Sequence, residues 1–326
     1  MGRIRIRLLI LTGFIIYILV VISYQKTSKT LPKQIESPEN IIVVSNRVPR
    51  CGSSLMSNLF IRLSEKTSAF TYVYNDSGGI QHRMSKHDQH ALRNGLIKSV
   101  ETAQHRRVVF VKHVHFFQMK PADGYSFYYI NQLRDPIDRS LSNFDYKRYK
   151  CAREKTAGGL CRSLRQSAVK MNLDECLLGR HPEKCITKKN GVQSAVSYFC
   201  GQSSICDDAI ALPTSKEAVS LAKQNVEKYY HHIGLLEYLI NSLELLEYTI
   251  PAVFTGILQT YRDMGEIHIN TPPSKYRTKI SNRSREVLSQ VLHAEYELYY
   301  FIKQRFITRY TDVFKREPIK NDNKTR

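Results

Sequence analysis

The chain has 326 residues and a formal net charge of +20, from 49 Lys and Arg against 29 Asp and Glu, and 42% of its residues are hydrophobic. Setting aside a hydrophobic N-terminus and a polar tail leaves roughly 280 residues, one large domain or two small ones, and enough for a sizeable core. The positive charge is spread along the chain rather than gathered in one tail, so a polyanion is the expected partner.

Leu8 to Ser23 is an uncharged run of 16 residues behind Arg3, Arg5 and Arg7. It is short beside the roughly 17–25 residues of a usual span, so a cleaved signal peptide competes with it. The run lacks a small-x-small cleavage site and reads as a single-pass signal anchor. The arginines keep residues 1–7 in the cytosol and send the chain after Tyr24 into the lumen, with 24–39 as a stem. A lumenal protein meets acidic polysaccharides rather than DNA or RNA, which excludes nucleic acid and makes a glycosaminoglycan the expected ligand. The sequons at Asn75, Asn282 and Asn323 agree with this topology.

In chain order, Asn40 to Ser45 (NIIVVS) is a continuous apolar run of the kind found in a buried parallel strand. The loop Asn46 to Ser53 follows, and apolar residues at 55, 56, 59, 60 and 63 predict a helix over 54–65. Between strand and helix, backbone N–H groups and the helix dipole make an anion site. Gly52, Ser53 and Ser54 permit close approach there, and Arg47 and Arg50 supply charge. A capped helix with two solvated arginines would look the same from this loop alone. The loop lacks the G-x-x-x-x-G-K-[ST] pattern, which counts against a nucleotide kinase or ATPase.

A second helix is expected over 85–104, with Leu92, Leu96, Ile97 and Val100 on one face, and a second buried strand over 107–111. Lys112 to Phe116 (KHVHF) closes that strand, and alternation points His113 and His115 to one face. Ligands gather at the carboxyl ends of strands in open α/β sheets, where a histidine can act as a general base; a satisfied structural histidine is the plainer alternative. Tyr128 to Leu133 is a third strand. Asp135 then caps a helix from Pro136 to about Tyr149, Arg134 emerges at the ligand edge, and Ser142, two turns on, can share an anion with it. Strands alternating with helices predict an α/β domain with a parallel sheet over 40–312.

Residues 150–214 are basic and cysteine-rich with little periodicity, and are expected to form a loop-rich insertion. Cys176/Cys185 and Cys200/Cys206 form two close pairs, with Cys151 and Cys161 just upstream. No C-x-x-C spacing occurs and the histidines lie apart from the cysteines, so local disulfides are expected and no metal is. Cys51, the seventh, is expected as a buried free thiol. Lys147, Arg148, Lys150, Arg153, Lys155, Arg162 and Arg165 form an expected polysaccharide track, a solvated charged loop being the alternative. Beyond the insertion come an amphipathic helix over 215–230, a strand over 231–237, one or two helices over 238–262 interrupted at Pro251, an aromatic-rich helix over 284–308, and a polar tail, 313–326.

Taken together, VVSNRVPRCGSS (43–54), KHVHFF (112–117) and YINQLRDPIDRSLSNF (129–144) resemble the heparan sulfate and uronyl 2-O-sulfotransferase family over roughly residues 40–312. YFCGQSSIC (198–206) and HIGLLEYL (232–239) resemble segments found there in the same order. The resemblance implies a P-loop-like sulfotransferase fold, a homotrimer, a Golgi location and 3′-phosphoadenylyl sulfate (PAPS) as co-substrate. It makes Arg50, Cys51, Gly52, Ser53 and Ser54 the 5′-phosphosulfate loop, and Arg134 and Ser142 the 3′-phosphate site. It makes His113 the base for a uronic acid 2-hydroxyl, with His115 as the secondary candidate, and pairs Cys176 with Cys185 and Cys200 with Cys206. Arg47, Arg148 and Arg153 are the residues expected toward the polysaccharide. KHVHFF, RCGS and FCGQ look closer to the uronyl (dermatan and chondroitin) branch than to the heparan branch. The family has lysine where this chain has Arg50, a compact charge where this chain offers a planar fork. A heparan acceptor, and a non-catalytic glycosaminoglycan-binding protein on the same scaffold, are the alternatives.

Overall fold

The apolar run Asn40–Ser45 becomes β1 (Asn40–Asn46), buried at every position at the centre of a five-stranded parallel sheet. The computed structural model of the chain describes residues 40–74, 83–119, 123–153, 171–186, 194–206, 215–265 and 277–321, all within the unit Ile35–Arg326. The other strands are β2 (Thr71–Tyr74), β3 (Arg107–Lys112), β4 (Tyr125–Leu133) and β5 (Tyr230–Leu235). Their order across the sheet is β2-β3-β1-β4-β5, every neighbouring pair parallel.

This order sets the position of the site. From β1 the chain goes out one side to β2 and β3, then crosses to the other side for β4 and β5. The loops leaving β1 and β4 therefore diverge at the carboxyl edge, and the crevice between them is where such sheets take ligands.

Helices cover both faces, as the continuous apolar strands require. On one face Ile41, Val43, Val109 and Val111 pack with Leu59, Phe60 and Leu63 of α1 (Ser53–Thr67) and with Leu243, Leu246, Phe254 and Ile257. The last four come from α7 (Leu239–Thr249), α8 (Pro251–Phe254) and α9 (Ile257–Asp263). On the other, Ile42, Val44, Val108 and Phe110 pack with α2 (Lys86–Thr102), α5 (Ala195–Cys200), α6 (Lys216–Tyr229) and α11 (His293–Phe314). Each fully buried Leu or Phe here contributes about 1.5–3 kcal/mol. A third cluster joins Ile137, Leu141 and Phe144 of α3 (Pro136–Arg153) to α4 (Leu173–Leu177) and α10 (Asn282–Val291).

Three elements differ from the expectation. The edge strand β2 has only four residues, partly exposed, too few to show a period. The helix expected over 284–308 is two, α10 and α11, broken at Leu292. The stretch 238–262 divides into α7, α8 and α9, with a break at Gly256 (φ 86°) in addition to the one at Pro251.

The disulfides Cys176–Cys185 and Cys200–Cys206 are formed, and Cys151 is bonded to a partner outside the described residues. Within the loop-rich insertion, α5 is wholly buried against the main core. Among the described residues no helix is long and apolar enough to cross a membrane; the 8–23 run, the Asn75 and Asn323 sequons, and Lys155, Cys161, Arg162 and Arg165 lie outside them.

Candidate active site at the carboxyl edge of the sheet

Asn46 ends β1 and is fixed from three directions. Its side-chain oxygen accepts from the Tyr230 hydroxyl (2.9 Å) and Asn131 Nδ2 (3.0 Å), and its Nδ2 donates to the Tyr198 carbonyl (3.0 Å). The loop that follows is tightly formed. Arg50 has a left-handed backbone (φ 67°), a conformation costing a non-glycine residue about 1–3 kcal/mol, and Gly52 follows with φ 78°. The positive φ at Gly52 favours glycine, and a Cβ there would lie 2.9 Å from Leu236 Cδ1, which would have to shift. The Cys51 side chain is fully buried, and burial pushes its thiol up to about 12.

α1 starts from Gly52 with no side-chain cap and no acidic residue in its first turn, whereas α2, α6 and α10 are capped by Ser85, Ser215 and Ser281. Its first helical bond is Met56 N–H to the Gly52 carbonyl, so the N–H groups of Ser53 and Ser54 point past the helix end. This suits an anion.

Arg50 turns toward α3. Its Nε and Nη2 donate to Ser142 Oγ at 3.2 and 3.0 Å, and its guanidinium lies 4.3 Å from the Tyr146 ring centroid. Burial lowers its pKa to about 10, with Arg134 acting in the same direction and Tyr146 opposing, so it stays charged at neutral pH. Arg134 leaves the end of β4 half-buried, and its guanidinium has no hydrogen bond or ion pair among the described residues.

The turn carrying Arg134 is held by residues that the sequence did not single out. Asp135 caps α3 by accepting from Ile137 N–H (3.0 Å) and Asp138 N–H (3.1 Å), as expected. Its own N–H donates to Glu237 Oε1 at 2.6 Å, and Tyr296 and Tyr299 donate to Asp135 and Glu237. Burial pushes Glu237 above the usual carboxylate range. Glu237 lies within HIGLLEYL, the one signal that could have pointed to it.

His113 follows the last residue of β3 and is half-buried. Its Nδ1 lies 2.9 Å from the Arg47 carbonyl oxygen. A carbonyl only accepts, so Nδ1 carries the proton and Nε2 is the basic nitrogen. His115 does not share this setting. Strand geometry ends at Lys112, and His115 is 1% exposed, edge-on to Tyr198 at 5.2 Å.

The Arg47 side chain turns inward, donating to Ser57 Oγ (3.3 Å) and the Tyr74 hydroxyl (2.9 Å). Arg148 donates to the Phe144 carbonyl of its own helix (3.0 Å), and burial lowers its pKa to about 10. Arg153 ends α3, its side chain outside the described ones. The structure thus brings Arg50, Gly52, Ser53, Ser54, Arg134 and Ser142 to one crevice, with His113 beside it, and sets His115 and Arg47 back into the protein.

The sulfotransferase family profile matches residues 36–301. The human uronyl 2-sulfotransferase is 33% identical over 266 residues, covering 81% of this chain. The chain spans 62% of the length of that relative and of its mouse counterpart. A heparan sulfate 2-O-sulfotransferase of Caenorhabditis elegans is 28% identical over 306 residues, 92% of this chain and 88% of the relative. With a profile match across most of its length and an anion crevice where its parallel sheet divides, the chain belongs to the sulfotransferase family.

Proposed function

We propose that this protein transfers the sulfuryl group of PAPS to the 2-hydroxyl of a uronic acid in dermatan or chondroitin sulfate, as a Golgi single-pass type II protein anchored by residues 8–23. The observation that supports the reading is the bond between His113 Nδ1 and the Arg47 carbonyl, which favours the tautomer whose Nε2 carries the lone pair. Nε2 takes the 2-hydroxyl proton as that oxygen bonds to sulfur, and the bond from sulfur to the bridging phosphate oxygen breaks. The Ser53 and Ser54 N–H groups and Arg50 take up the charge left on the phosphate, while Arg134 and Ser142 hold the 3′-phosphate. The dermatan or chondroitin acceptor is supported by the likeness to the human uronyl 2-sulfotransferase. A heparan acceptor is the second reading, favoured by the heparan sulfate 2-O-sulfotransferase that matches over 88% of its own length.

The test is incubation of the purified protein with labelled PAPS and separate dermatan, chondroitin and heparan acceptors, followed by disaccharide analysis. Label on a uronic acid 2-position, lost in a folded His113→Ala protein, is expected, and the labelled backbone decides between the acceptors. Transfer by His113→Ala at the wild-type rate would overturn the mechanism. PAPS binding without transfer to any acceptor would favour a non-catalytic glycosaminoglycan-binding protein.

A further inference from the structure

His113 follows the end of β3 at Lys112; Val114 makes only an isolated bridge, yet residues 114–117 are buried. Their backbone is also held by the turn at 198–206. Phe116 N–H donates to the Tyr198 carbonyl at 2.8 Å, and the same carbonyl accepts from Asn46 Nδ2 at 3.0 Å. One acceptor therefore joins the start of the anion loop to the segment carrying His113. One residue earlier, the His115 carbonyl accepts from Gln202 Nε2 at 3.2 Å, and Gln202 Oε1 accepts from Met84 N–H at 2.8 Å.

The turn is built for this contact. Gly201 has φ 98°, and a Cβ there would lie 2.6 Å from the Phe116 carbonyl oxygen, so the two backbones pass as closely as glycine allows. The Cys200–Cys206 disulfide closes a short ring that contains Gln202, and Asn225 Nδ2 fixes the ring to α6 by donating to the Phe199 and Cys200 carbonyls, each at 2.9 Å. A short disulfide ring restricts the conformations that the turn can sample.

We infer that the disulfide-closed turn, acting through Gln202 and the Tyr198 carbonyl, is a positioning device that sets His113 against the anion loop. Gln202 is a positioning residue: it touches neither donor nor acceptor. The inference rests on the reading of His113 as the base. Misplacing a base by about 1 Å costs on the order of 100-fold in rate; Gln202 bonds to His115, Met84 and Arg83 and not to the anion loop, so its loss leaves donor binding alone, whereas the Tyr198 carbonyl also holds Asn46.

The test uses full-length protein carrying Gln202→Met, which keeps the volume and removes the amide, and separately the Cys200→Ser/Cys206→Ser pair. For each, kcat, KM for both substrates and its pH profile are measured, with affinity for 3′-phosphoadenosine 5′-phosphate by titration calorimetry. Expected are a tenfold or greater fall in kcat and a shifted acid limb of kcat in both, and, in Gln202→Met, nucleotide affinity within twofold of wild type. The inference is overturned if, in Gln202→Met, kcat stays within twofold of wild type or nucleotide affinity falls in step with kcat. Should the cysteine pair not fold, Gln202→Met alone decides. If the wild-type protein labels no acceptor, the proposed reaction fails, and NMR titration of His113 decides instead: its midpoint moves in Gln202→Met if the turn sets its environment and stays put if it does not.

Discussion

Arg50 and Ser142, 92 residues apart in sequence, meet through two hydrogen bonds from one guanidinium to one hydroxyl. The contact ties the loop after β1 to the helix after β4, so the Arg50 cation of the proposed donor crevice is oriented by the Ser142 hydroxyl. A hydrogen bond to a charged group contributes about 1.5–3 kcal/mol. Ser142→Ala and Arg50→Met are each expected to weaken 3′-phosphoadenosine 5′-phosphate binding by roughly tenfold or more, and the double variant by less than the product. Calorimetry on the four proteins checks this; strictly multiplicative losses would mean that the two residues act independently on the ligand.

A second contact holds the same region from beneath. Arg139 Nη2 and Glu295 Oε2 are 3.0 Å apart with both side chains 2% exposed, and Glu295 also accepts from the Ala195 N–H (2.8 Å) and the Ser194 hydroxyl. Removing the carboxylate from a buried charge is costly, so Glu295→Ala is expected to destabilise by about 3–5 kcal/mol. The Arg139→Met/Glu295→Leu pair should recover much of that loss. Urea unfolding of the three proteins measures both effects, and a Glu295→Ala cost below about 1 kcal/mol would contradict this account.

His231 and His232 on β5 are held neutral well below the ordinary histidine range, at about 4 and about 3. Burial is the larger cause, and the Arg309 charge adds to it. Their folded pKa values lie below the unfolded value near 6.5, so the unfolded chain binds the extra protons. Stability is thus intact above pH 6.5 and falls as the pH drops toward 4, by up to about 1.4 kcal/mol per pH unit for each group. The Tm should decline over that window, and His232→Leu should flatten part of the decline. Identical pH profiles for wild type and His232→Leu would contradict the assignment.

The sequence by itself determined the parallel α/β class, the strands β1, β3, β4 and β5, the capped start of α3 and the disulfide pairs. These depend on short-range chemistry: continuous apolar runs, Asp before Pro, and cysteines close along the chain. It also marked Arg50, Arg134, Ser142 and His113, through motifs that each lie beside a strand end. Only the tertiary structure decided which of these meet. The crossing between β3 and β4 brings Arg50 to Ser142, and no periodicity encodes which strands become neighbours. The two histidines looked equivalent by alternation, but the strand ends before them and the turn at Tyr198 buries one ring while the Arg47 carbonyl fixes the tautomer of the other. Glu237, Gln202 and Glu295 act through partners about 87 to 156 residues away, so their roles appear only once the chain has folded.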